Sequence, residues 1–111
     1  MTSAQKKRAL RAQISLKKSI VFKYKGEERE GNPHTLGISN GEYALRIYQT
    51  AGDSESGLKK KGSAENFRFF YLKDIDIIEE QNTNFKPHPA YKENDEAFEK
   101  IDTQINNGKS K

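Results

Sequence analysis

The 111-residue chain carries 20 Lys and Arg against 16 Asp and Glu, a formal charge of +4, and only 32% of it is hydrophobic, with a mean hydropathy of −1.02. That length allows one domain at most, and the lean apolar content allows only a small core. The absence of cysteine excludes a disulfide framework and a thiolate metal site, and no apolar run approaches the ~20 residues of a membrane span.

Residues 4–18, "AQKKRALRAQISLKK", read as a helix: Leu10 and Ile14 are four apart and Ala9 and Ala12 widen the stripe. Its first turns carry Lys6, Lys7 and Arg8, where the helix dipole disfavours cations, so fraying is expected there. The basic start lacks the apolar stretch of a secretory signal, so the expected location is cytoplasmic, with no membrane partner.

Residues 19–25 alternate as a strand, with Ile20, Phe22 and Tyr24 on one face. After "KGEE" as a turn, residues 28–38 form a poorer second strand. Pro33 lacks an N–H and belongs at an edge or bulge there. "SNG" at 39–41 signals a hairpin. The third strand, 42–50, puts Tyr43, Leu45 and Ile47 on one face and Ala44, Arg46 and Tyr48 on the other. A long polar loop over 51–65 contains Ser54, Ser56 and three lysines, Lys59 to Lys61. Strands are expected at 66–72 and 74–79, and an irregular segment at 80–92. A second helix is expected at 93–107, capped by Asn94 and striped by Phe98, Ile101 and Ile105. Helix, five short strands, helix predicts a mainly β (α+β) domain: a small, strongly bent antiparallel sheet or partly open barrel.

Charge is unevenly placed. Residues 1–31 hold nine Lys/Arg and three Asp/Glu, whereas residues 74–102 are predominantly acidic. A basic front with an acidic back suits a polyanionic partner, although a merely solvated basic helix has the same composition. Catalytic and nucleotide-fold motifs are missing: no phosphate-binding P-loop, no dinucleotide fingerprint, and two distant histidines, His34 and His88, without metal-ligand spacing. The acidic "ENDEAFEKID" lacks the central glycine of a calcium loop. With no evident nucleophile and base, the expectation is a binding protein without cofactor or metal, and not an enzyme.

Arg46 and Arg68 carry the sharpest functional expectation. Each lies mid-strand beside an aromatic on its own face, Tyr48 and Phe70, as in sites that stack a base and hold its phosphate. If the two strands are neighbours, both guanidinium groups can face one patch. The bland alternative is that they cover a polar face or pair with Glu42 or Asp74. His34, after a proline, equally suits the cap of a bend, and Tyr48 either a core edge or a stacking platform. Ser54 and Ser56 suit a turn better than a ligand contact.

Four stretches in order resemble the WYL domain, a bacterial regulatory module with an Sm-like β-barrel: "SIVFKYKGEERE", "NPHTLG", "GEYALRIYQTAGDSESG" and "FRFFYLKDI". The naming trio stands here as Tyr43, Ala44 and Leu45, and Asp74 replaces the arginine usual before the closing isoleucine. The resemblance spans about residues 13–101. It implies one domain over 1–111 with a five-stranded barrel core at about 19–79, either a stand-alone member of the family, the expectation that the polar ends favour, or a fragment. It further implies a ligand-sensing or regulatory module that binds nucleic acid or a nucleotide-like anion. Tyr24, His34, Arg46, Arg68 and Ser54 are the candidates carried over by position; Tyr48 joins them on the physical argument above. The competing expectation is a protein-interaction or homodimerising module, docking through a sheet edge or the acidic C-terminal helix.

Overall fold

The computed structural model, which describes residues 1–52 and 62–106, contains one N-terminal helix and a six-stranded antiparallel sheet. Helix α1 spans Ser3–Leu16. Thr2 and Gln5 cap it reciprocally, each side chain accepting the other's backbone N–H. That cap steadies the lysine-rich first turns, and Lys6 turns inward to donate to the Leu72 carbonyl at 3.3 Å. Lys17, at φ 56°, ends the helix in the left-handed conformation, its N–H on the Gln13 and Ile14 carbonyls.

The strands are β1 (Lys18–Tyr24), β2 (Glu27–Ser39), β3 (Glu42–Gly52), β4 (Phe67–Tyr71), β5 (Ile75–Asn84) and β6 (Lys100–Gln104). Two tight turns set the first two hairpins. Lys25–Gly26 and Asn40–Gly41 all have positive φ, the backbone that matches strand twist in a two-residue turn. The first turn pairs Tyr24 with Glu27, and therefore Phe22 with Arg29. Pro33 sits beside a bulge, where the β2–β3 register slips between Pro33 and Thr35 and leaves His34 as the extra residue.

Three expectations are corrected. The sheet does not close into a barrel: its order is β4-β3-β2-β1-β5, and no backbone pairing joins the β4 and β5 ends. Side chains bridge the gap instead, with the Phe70 ring edge-on to Phe22 at 5.3 Å and to Tyr24 at 4.8 Å. The expected helix over 93–107 is absent, and its stripe feeds a sixth strand. The cause is β2, whose pairing with β1 ends at Gly31 and leaves Thr35–Ile38 with one open edge. β6 supplies the missing backbone partners, which buried N–H and C=O groups require. Asn94 adopts φ 58° in a turn rather than capping a helix. Finally, β5 runs on to Asn84, because β1 offers it partners as far as Lys18.

One face of the sheet packs the main core, where Leu10 and Ile14 of α1 meet Ile20, Phe22, Leu36, Leu45, Ile47, Phe70, Leu72 and Ile75. The other face of β3 and β4 is covered by the irregular segment 85–99. His88 stacks on Tyr48 at 4.5 Å and Phe98 lies against Phe69 at 5.4 Å. A charged clasp ties α1 to β6. Arg11 donates from Nε and Nη2 to the two Asp102 oxygens at 2.9 and 2.8 Å, and the Tyr43 and Thr103 hydroxyls donate to the same carboxylate. Arg11 above all holds the Asp102 carboxyl well below the usual carboxylate range, against the opposing effect of its burial.

Candidate anion site

Register decides whether the two expected arginines meet. Arg46 pairs with Phe69 across the ladder and Ile47 with Arg68. Directly opposed residues share a face and successive residues alternate, so Arg46 and Arg68 point to opposite sides of the sheet. They do not form one patch.

Arg46 lies on the face covered by 85–99. Its Nε donates to Asp95 Oδ2 at 2.9 Å and its Nη2 to Oδ1 at 3.4 Å, and the guanidinium sits 5.1 Å from the Phe69 ring centre. Burial works against ionisation of Asp95, but the hydrogen bonds from Arg46 and from the Ala97 N–H outweigh it and hold the carboxyl below its ordinary value. This arginine already grips an anion of its own chain. Glu42, considered as its partner, pairs with Lys73 at 3.2 Å instead.

Tyr48 shares the Arg46 face, as alternation predicts. Its ring is buried between His88 and Phe67, and its hydroxyl is buried without a hydrogen-bond partner. His34 is fully buried and packs against the rings of Phe67, Phe85 and Tyr91. The His88 N–H donates to its Nε2 at 3.2 Å, so the ring proton sits on Nδ1 and is donated to the Asn32 carbonyl at 2.8 Å. Burial lowers its pKa to about 4, which keeps the ring neutral. Both ring nitrogens are thus engaged: Nε2 holds segment 85–91 to β2, and Nδ1 is used within β2 itself. Ser54 and the three lysines at 59–61 lie outside the described residues.

The other sheet face holds a polar group that strand alternation alone does not single out. Arg29 is 3% exposed at the Tyr24 end of β1 and faces the core, because the tight turn sets it opposite Phe22. Its Nη2 lies 3.2 Å from Glu27, whose carboxylate is 45% exposed, and its Nη1 donates to Gln49 at 3.4 Å. Its guanidinium is 5.0 Å from the Tyr24 ring centre, and its Nε is buried with no hydrogen-bond partner. Gln49, fully buried, shares the face of Ile47 and hence of Arg68, its diagonal neighbour on β4. Tyr24, Arg29, Gln49 and Arg68 therefore occupy one end of the concave face. Of the expected residues, Tyr24 and Arg68 fall here, Arg46 and Tyr48 on the opposite face, and His34 in the layer beneath segment 85–91.

The signal for Arg29 was present in the chain. A two-residue turn at Lys25–Gly26 dictates the pairing of Phe22 with Arg29, but the charged surroundings "GEEREG" read as solvated. Among the described residues no group of three His, Cys, Asp or Glu is placed to hold a metal ion, and no helix is long and apolar enough to cross a membrane. Comparison of the chain with protein-family models, with curated proteins and with solved structures finds no match.

Proposed function

We propose that the protein is a cytoplasmic regulatory binding module that takes the phosphate of a nucleotide or nucleic acid at Arg29. The observation that carries this reading is a buried guanidinium with an orphaned Nε, whose carboxylate partner among the described residues, Glu27, is half exposed. Desolvating an arginine is costly unless its donors are used, and a phosphate satisfies two of them at once with planar geometry. Glu27 is the group such a phosphate displaces. Tyr24 supplies a ring for a base, and Arg68 supplies a second charge on the same face. The resemblance to WYL domains points the same way.

The test is a fluorescence titration of short labelled single-stranded DNA and RNA, and of a labelled nucleoside triphosphate, at two salt concentrations. Folded Arg29→Gln is expected to bind at least about tenfold more weakly, with the salt slope reduced by about one, whereas Arg46→Ala leaves both unchanged. No binding by the wild type at low salt, or equal affinity in Arg29→Gln, would overturn the proposal.

A second reading, an interaction module that pairs through a sheet edge, has its own support. β5 is ten residues long, among the described residues β1 is its one strand neighbour, and Ile78 on it is half exposed. An open edge of that length templates another strand. On this reading light scattering gives a mass that doubles with concentration and returns to the monomer in Ile78→Lys; a monomer at all concentrations removes self-pairing.

A further inference from the structure

The Arg46–Asp95 pair opens onto a cleft of about 480 Å³ that the phosphate site does not use. Its walls are Phe67, Tyr91 and Ala90, and its charged groups are Arg46, Asp95 and Glu96, with Lys92 and Glu93 also at its surface. Arg46 and Asp95 are 27% and 19% exposed, so both ends of the ion pair remain reachable from the cleft. Asp95 belongs to a stretch that is neither helix nor strand and follows Asn94 at positive φ, whereas Arg46 is fixed on β3 over Phe69. The pair therefore has one rigid member and one on an irregular segment.

The charges select the ligand. Among the described residues that line it, three carboxylates against two cations disfavour a polyanion, so a phosphate chain is a poor occupant. A small molecule with one carboxylate and one ammonium is matched. Its carboxylate takes the two Arg46 donors now held by Asp95, and the released Asp95, beside Glu96, receives the ammonium. The exchange keeps every charge paired, and Phe67 and Tyr91 accept an apolar side chain. We infer that this cleft is a binding site for a free α-amino acid, whose carboxylate takes the place that Asp95 holds beside Arg46. This inference stands apart from the phosphate reading, since it uses the opposite sheet face and none of the same residues.

The experiment is calorimetric titration of the full chain with the L-amino acids, with acetate, methylamine and N-acetylated amino acids as single-charge controls. At least one amino acid is expected to bind, with its N-acetyl form and acetate at least about tenfold weaker, since each leaves one charge unpaired. Arg46→Gln is expected to lose the amino acid at least about tenfold. Ala90→Trp fills the cleft at an exposed position, leaves the ion pair intact, and is expected to lose it likewise. Asp95→Asn removes the competing carboxylate and is expected to strengthen acetate binding. The inference is overturned if no amino acid binds below about 10 mM. It is equally overturned if binding survives unchanged in both Arg46→Gln and folded Ala90→Trp. Because Arg29→Gln leaves this cleft untouched, loss of phosphate binding and loss of amino-acid binding are read separately.

Discussion

Acidification from pH 6.5 to pH 4 is expected to remove about 3 kcal/mol of stability through His34 alone. The folded ring titrates at about 4, lowered by burial, against an ordinary value of 6.5. Between those values the unfolded chain binds more protons, so stability is complete above pH 6.5 and falls as the pH drops towards 4. The structural reason is specific. Protonation puts an N–H at Nε2, where the ring now accepts the His88 N–H, and strands a charge among Phe67, Phe85 and Tyr91. Below about pH 4 a second loss sets in, because Asp102, held ionised by Arg11, stabilises the fold above its unfolded value and gives that up as it protonates. Urea unfolding followed from about pH 2 to pH 7.5 measures both. His34→Gln offers one donor and one acceptor without a titrating proton, so its curve is expected to be flat between pH 6.5 and 4. A wild-type curve already flat in that window would show that the ring is not held neutral by its surroundings.

Gly37→Ala is expected to cost about 3 kcal/mol, the upper end of what overpacking does, and to detach β6. A Cβ at position 37 would fall inside the contact distance of the Lys100 carbonyl oxygen, with Phe98 Cδ1 at 2.9 Å and the Ile101 Cα at 3.3 Å. The obstruction includes the backbone of the paired strand, which has no rotamer to change. The contrast is Gly31, where a Cβ meets Cγ2 of the fully buried Ile47 and lies 3.1 Å from the Tyr48 carbonyl oxygen, so Gly31→Ala is expected to strain the β2–β3 ladder and leave β6 paired. Chemical denaturation of the two variants reports the cost of each, and hydrogen exchange at Ile101 and Thr103 reports whether β6 remains paired. A Gly37→Ala protein within about 0.5 kcal/mol of wild type would mean that β6 is not pressed against β2 at this point.

Much of the fold is legible in the chain because its causes are local. The Asn40–Gly41 turn needs positive φ, which these residues adopt at little cost, and the alternation of 42–50 survives unchanged in β3. The stripe of Phe98, Ile101 and Ile105 satisfies a helix equally well, and local propensity does not arbitrate. The open edge of β2 does, and it lies about sixty residues away along the chain.

The candidate site divides along the same line. That Tyr24 and Arg68 face the core side of their strands, and that Tyr48 shares a face with Arg46, follows from the two-residue repeat of a strand. That Arg29 faces the core follows from the turn before it. Which arginine is left short of partners follows from neither. Asp95 reaches Arg46 across 49 positions of sequence, and no complete set of acceptors reaches Arg29. Side-chain type and strand periodicity are carried by the sequence and place each charge on a face. The pairing of buried charges depends on which distant segments the folded sheet brings over that face, and so only the tertiary structure decides it.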